Sequence, residues 1–166
     1  MKTAREIYGD KSCICDYQPM LEEFGNILLQ VDDDDYQGDS FLLYRNNEKY
    51  GYLHFGWGSC SGCDALQACS SIEEVQELMD KLYGSIQWFD GVHEFREWFF
   101  FHDWKGDYCW HSDSFHEFYN LVVMAIIVIN LPDGYEFQDE NGNVIEAKKI
   151  MLKKKDGNGM DQNRRR

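Results

Sequence analysis

Residues 55–69, "FGWGSCSGCDALQAC", gather three cysteines, an aspartate and several glycines into one short stretch. Cys60 and Cys63 form a C-x-x-C pair after a strand-like run and before "DALQAC", a short helix candidate with Asp64 near its start. Backbone N–H groups at a helix N-terminus stabilise a thiolate and lower a cysteine's pKa, which makes the pair a candidate for thiol–disulfide exchange. That chemistry is expected in a βαβ setting, and this chain reads as an antiparallel meander, which weighs against it. Zinc needs four ligands, of which one C-x-x-C supplies two. Cys109 and His111 are the candidates for the other two, with Cys69 and His116 as substitutes. Small residues such as Gly58, Ser59 and Gly62 also suit a tight strand-to-helix junction, where free cysteines pack as small hydrophobes. From sequence alone that packing role ranks first and a metal or redox centre second; a turn that exposes backbone N–H groups is in addition a candidate anion pocket.

Other chemistry-bearing residues are less patterned. Asp32, Asp33, Asp34 and Asp35 lie in "DDDDYQGD", which lacks the ligand spacing and terminal Glu of an EF-hand and reads as a solvated turn. His102 beside Asp103 and His111 near Asp113 are candidate base and orienter pairs, but no nucleophile motif accompanies them. Trp88 and Trp98 read as core, whereas Trp104 and Trp110, in "HDWKGDYCWH", are candidate anchors for a protein partner.

Charge narrows the function classes. Residues 1–147 hold 8 Lys and Arg against 28 Asp and Glu, a formal charge of −20, while residues 148–166 hold 8 against 2, a formal charge of +6. Such a body repels bare nucleic acid, because phosphate binding needs cations to displace counterions. It attracts basic protein surfaces, and acidity also serves solubility. The longest apolar run, "LVVMAIIVI" (residues 121–129), is too short to span a bilayer, and no export signal is visible at the N-terminus, so an intracellular, cytoplasmic protein with reduced thiols is expected.

The elements that must position these residues follow from periodicity. "NILLQVDDDD", "SFLLYRN" and "YGYLHFGW" read as strands joined by turn-like segments, hence an antiparallel meander. "SSIEEVQELMDKLYG" places Ile72, Val75, Leu78, Met79 and Leu82 on one helical stripe, with Glu73, Glu74, Glu77 and Asp80 away from it and a serine capping box at its start. "SIQWF" is a short strand candidate. "VHEFREWFFFH" is a second helix after Asp90 as cap, and a third begins at "SDSFHEF", where Ser114 and Glu117 match the capping box. That helix runs on into residues 121–129, whose β-branched content would equally suit a buried strand; a buried helix is the favoured reading. "YEFQDENGNVIEAKKI" predicts a C-terminal hairpin turning at Asn141 and Gly142. The expected class is α+β: a β-meander, about three helices packed on one face, and a terminal hairpin, in one acidic domain over residues 1–152. Residues 1–20 are an arm or a short element, and residues 153–166 a basic disordered tail.

The combination of "YQGD", "YGYLHFGWGSCSGCDALQAC", "IQWFD" and "HDWKGDYCWH" resembles a group of short phage and bacterial proteins to which no activity is attached. The resemblance covers roughly residues 35–111 and transfers no functional residue. It implies a context in which a small acidic phage protein binds a host defence or nucleic-acid-handling enzyme. The leading expectation is therefore a protein-binding inhibitor of the anti-CRISPR or anti-restriction type, imitating DNA towards a basic partner, rather than an enzyme. Its candidate contacts are Asp32, Asp33, Asp34, Asp35, Glu73, Glu74, Glu77, Asp80, Trp104 and Trp110. The alternative is a small zinc-binding or thiol-redox protein built on Cys60 and Cys63 with Cys109 and His111; zinc is the one cofactor considered.

Overall fold

The computed structural model describes residues 1–11, 13–107 and 112–129, with side chains as far as Met124, and the backbone at 137–138 and 144–145. The chain forms two compact units, Met1–Asn120 and Leu121–Arg166.

The first unit is built on a four-stranded antiparallel sheet: β1 (Asn26–Asp32), β2 (Gly38–Asn46), β3 (Lys49–Trp57) and β4 (Gln87–Asp90), in spatial order β1-β2-β3-β4. β2 and β3 are joined through Asn47, which adopts φ +54° as tight hairpin turns require and asparagine tolerates. The β1–β2 connection is closed by Asp33, whose carboxylate accepts the Asp39 N–H at 2.8 Å while its own N–H donates to the Asp39 carbonyl. "SIQWF" does extend the sheet, as β4 beside β3.

Side chains of β2 alternate between two covered faces. Leu42 and Tyr44, with Leu53 of β3, join a core completed by α1 (Ala4–Tyr8), α2 (Gln18–Leu21), α3 (Ala65–Ala68) and α4 (Ile72–Ser85). On the opposite face Phe41 packs on Phe115 and Phe118 of α6 (Asp113–Ile129), while Tyr50 and Tyr52 of β3 meet Phe95 and Trp98 of α5 (Val92–Phe101). Helices thus cover both sides of the sheet, not the one side expected. The local sign is the unbroken buried run Ser40–Tyr44; a strand with one wet face would alternate.

The expected helices form, with differences at their caps. In α4, Ser71 accepts the Glu74 N–H, Val75, Met79 and Leu82 are buried, and Glu73, Glu74, Glu77 and Asp80 are exposed. α5 starts at Gly91, with φ +93°, and its first turn is closed by Glu94 accepting the Asp90 N–H. α6 is capped by Ser112, whose hydroxyl accepts the Phe115 N–H, and not by Ser114. Residues 121–129 are helical. The N-terminal segment is integral to the core: Ala4 and Met20 are fully buried, and Thr3 with Glu6 makes a capping box for α1.

In the second unit, β5 (Phe137–Gln138) and β6 (Val144–Ile145) pair antiparallel, as the expected hairpin requires. Asn141, Gly142 and the tail from Lys153 lie outside the described residues. Among the described residues no helix is long and apolar enough to cross a membrane.

Candidate functional site: an exposed dithiol

The strand β3 ends at Trp57, and the chain turns through Gly58–Cys63 into α3. The turn is tied by the Cys60 carbonyl, which accepts the N–H groups of Cys63 (2.9 Å) and Asp64 (2.8 Å). This fold-back brings the Cys60 and Cys63 sulfurs to 2.9 Å, with both residues exposed. Gly58 is required beneath them: a Cβ there would stand 2.6 Å from the Cys63 carbonyl oxygen and sulfur.

Asp64 closes the loop from inside. It is 3% exposed and, with Ser40, one of two buried polar residues among those described. A buried carboxylate is tolerated only when its oxygens are hydrogen-bonded. Here Oδ2 accepts the Gly58 N–H (2.9 Å) and Oδ1 accepts the Gln67 N–H (2.8 Å) and the Tyr17 hydroxyl (3.4 Å). Tyr17 in turn accepts the Leu66 N–H, and the Gln67 amide donates to the Gly58 carbonyl. The anion pocket expected at this turn is therefore filled by the chain's own aspartate.

The thiols are not equivalent. The Cys60 thiol beside it is the main cause holding Cys63 below the ordinary thiol range, helped by hydrogen bonds from the Cys60 and Ser59 backbone. The expected helix N-terminal effect is minor, since α3 has four residues and Asp64 already takes one of its leading amides. Cys69, at the end of α3, donates to the Ala65 carbonyl and is pushed up, first by burial and then by Glu74, Asp64 and Glu77. Iodoacetamide labelling against pH should accordingly give a midpoint for Cys63 below the free-thiol value of about 8.5 and one for Cys69 above it. Equal midpoints, read by peptide mass spectrometry, would remove the asymmetry.

The other candidates distribute as follows. Trp104 is a correction: it is 5% exposed, its indole N–H donates to the Phe99 carbonyl, and rings of Tyr52, Trp98 and Phe115 surround it, so it is core and offers no anchor. Trp110, Cys109 and His111 lie outside the described residues, and with them half of the expected zinc set. Among the described residues no three His, Cys, Asp or Glu side chains are grouped to hold a metal. His102 pairs with Asp107 (2.8 Å), not with Asp103, and His54 with Asp39 (2.9 Å); neither histidine bonds a hydroxyl or thiol among the described residues.

The carboxylates sit on separate elements and several have local work. Asp34 and Asp35 are exposed in the hairpin loop, and Asp32 beside them accepts from Gln30; Asp33 is half-buried and also takes the Ser112 hydroxyl. On α4, Glu73 pairs with Arg5 at 3.1 Å, and Asp80 accepts the Gln76 amide. Glu74 takes the Ser70 N–H and hydroxyl, which hold its carboxyl below the usual range.

Sequence reading found Cys60, Cys63 and Asp64 through their adjacency. It missed Tyr17, whose only signal is a contact across 47 residues. The chain matches no protein-family model, no curated protein and no solved structure.

Proposed function

We propose that this chain is a thiol–disulfide protein whose working group is the Cys60–Cys63 pair. The observation that carries this reading is two exposed cysteine sulfurs 2.9 Å apart, one of them shifted towards thiolate. The Cys63 thiolate attacks one sulfur of a partner disulfide, forming a mixed disulfide and releasing the partner's other sulfur as thiolate. Cys60, losing its proton to solvent, then attacks the Cys63 sulfur and expels the partner's remaining sulfur. The partner disulfide ends reduced by two electrons and the loop ends as a Cys60–Cys63 disulfide. A single zinc ion would need the two sulfurs to part to about 3.8 Å, the spacing that tetrahedral bonds of about 2.3 Å impose. The observed spacing therefore favours exchange over metal binding.

The test is equilibration of the reduced protein in glutathione buffers of graded poise, acid quenching and peptide mass spectrometry; cleavage before Asp64 separates the pair from Cys69. A Cys60–Cys63 disulfide, with a loss of two hydrogens, is expected. Its absence at every poise overturns the reading.

A second reading has its own observation, the exposed carboxylates Glu73, Glu74, Glu77 and Asp80 along α4 on a body of charge −20. They suit docking on a protein with a basic nucleic-acid-binding groove, such as a restriction or CRISPR nuclease, in the manner of a phage-borne inhibitor. Contacts between exposed charges weaken as salt shortens the Debye length. Affinity for a candidate nuclease that stays constant from low to high salt would end this reading.

A further inference from the structure

We propose that Asp64, together with Tyr17, is a positioning latch that sets how readily the Cys60–Cys63 pair oxidises; the inference rests on the thiol–disulfide reading above. A charge nine-tenths or more buried is costly, and this one is held by donors from both ends of the cysteine loop, Gly58 before it and Gln67 after it. The third donor, Tyr17, comes from the N-terminal segment and is itself bonded to the Leu66 N–H, so the loop is fastened to the core as well as to itself. Neither Asp64 nor Tyr17 takes part in the exchange step. Their effect is to keep Gly58 under Cys63 and the two sulfurs in attacking range, which raises the effective concentration of one thiol at the other.

Only a carboxylate satisfies this cradle. In Asp64→Asn the amide NH2 replaces one acceptor and is forced to face either the Gly58 or the Gln67 N–H, donor against donor. The loop then opens, and closing it into a disulfide costs more entropy.

The experiment uses the full chain in glutathione buffers, with wild type, Asp64→Asn and Tyr17→Phe compared. For Asp64→Asn the dithiol–disulfide equilibrium constant should fall by about tenfold or more, equivalent to roughly 30 mV towards easier reduction, and Tyr17→Phe should shift it the same way by less. A second readout separates positioning from charge. If Asp64 acts by holding the loop, Cys63 loses its partners in Asp64→Asn and its labelling midpoint rises; if it acts only as a nearby negative charge, removing it lowers that midpoint. An unchanged equilibrium in folded Asp64→Asn, or a lowered midpoint, overturns the latch. Should Asp64→Asn not fold, Tyr17→Phe decides, and an equilibrium equal to wild type overturns it. A wild-type chain that never forms the disulfide defeats the underlying reading instead, so the two failures are distinguishable.

Discussion

Cys63→Ser is expected to abolish the loop disulfide altogether. In oxidising glutathione the wild-type chain should form one intrachain disulfide, with loss of two hydrogens, between residues 60 and 63. The serine variant retains Cys60 without a resolving or attacking neighbour, so any glutathione adduct on it should persist rather than being expelled. Cys60→Ala should fail differently: Cys63 still attacks, but the mixed disulfide accumulates. Its labelling midpoint should also rise, because the Cys60 thiol is the largest cause of the lowered value. Cys69→Ser is the control, since that sulfur is half-buried against the Ala65 carbonyl and held as a thiol, and it should leave the disulfide intact. Mass spectrometry of intact protein and peptides reads all three. A disulfide with loss of two hydrogens still forming in Cys63→Ser would mean that other cysteines make the bond.

Phe41→Ala and Leu42→Ala should both be strongly destabilising, by about 3–5 and 2–5 kcal/mol respectively in urea unfolding. The two residues are neighbours on β2 and fully buried, yet their side chains lie on opposite faces of the sheet. Phe41 rests on Phe115, Phe118 and the ring of His54, which is stacked on it at 4.7 Å. Leu42 belongs to the core that includes Leu53, Val75 and Met79. A sheet covered on one face only would make one of these substitutions nearly silent. A cost under about 1 kcal/mol at either position, the range of ordinary surface changes, would therefore contradict the two-sided arrangement.

The same pair of residues shows where sequence reading stopped. α4 was legible because its stripe and its cap are local: Val75, Met79 and Leu82 recur at helical spacing, and Ser71 reaches only as far as Glu74. The meander was legible because short turns force antiparallel neighbours. The number of covered faces was not, although the run "SFLLY" carried the trace of it. A continuous apolar run shows that a strand is buried without naming what buries it. Trp104 fails for the related reason that a loop tryptophan's exposure is decided by partners remote in sequence, here Tyr52 and Phe115.

The candidate site divides along the same line. By itself the amino-acid order determined that Cys60 and Cys63 lie within one turn of each other, that Asp64 opens the following helix, and that glycine stands where the chain must pass closely, because all of these act within about ten residues. Only the tertiary structure decided that the aspartate is buried, that Tyr17 from the N-terminal segment fastens it, and that His102 meets Asp107 instead of the adjacent Asp103. Spacing along a chain sets which groups can meet cheaply. Which of them do meet depends on how the packed layers exclude water, and that is a property of the whole fold.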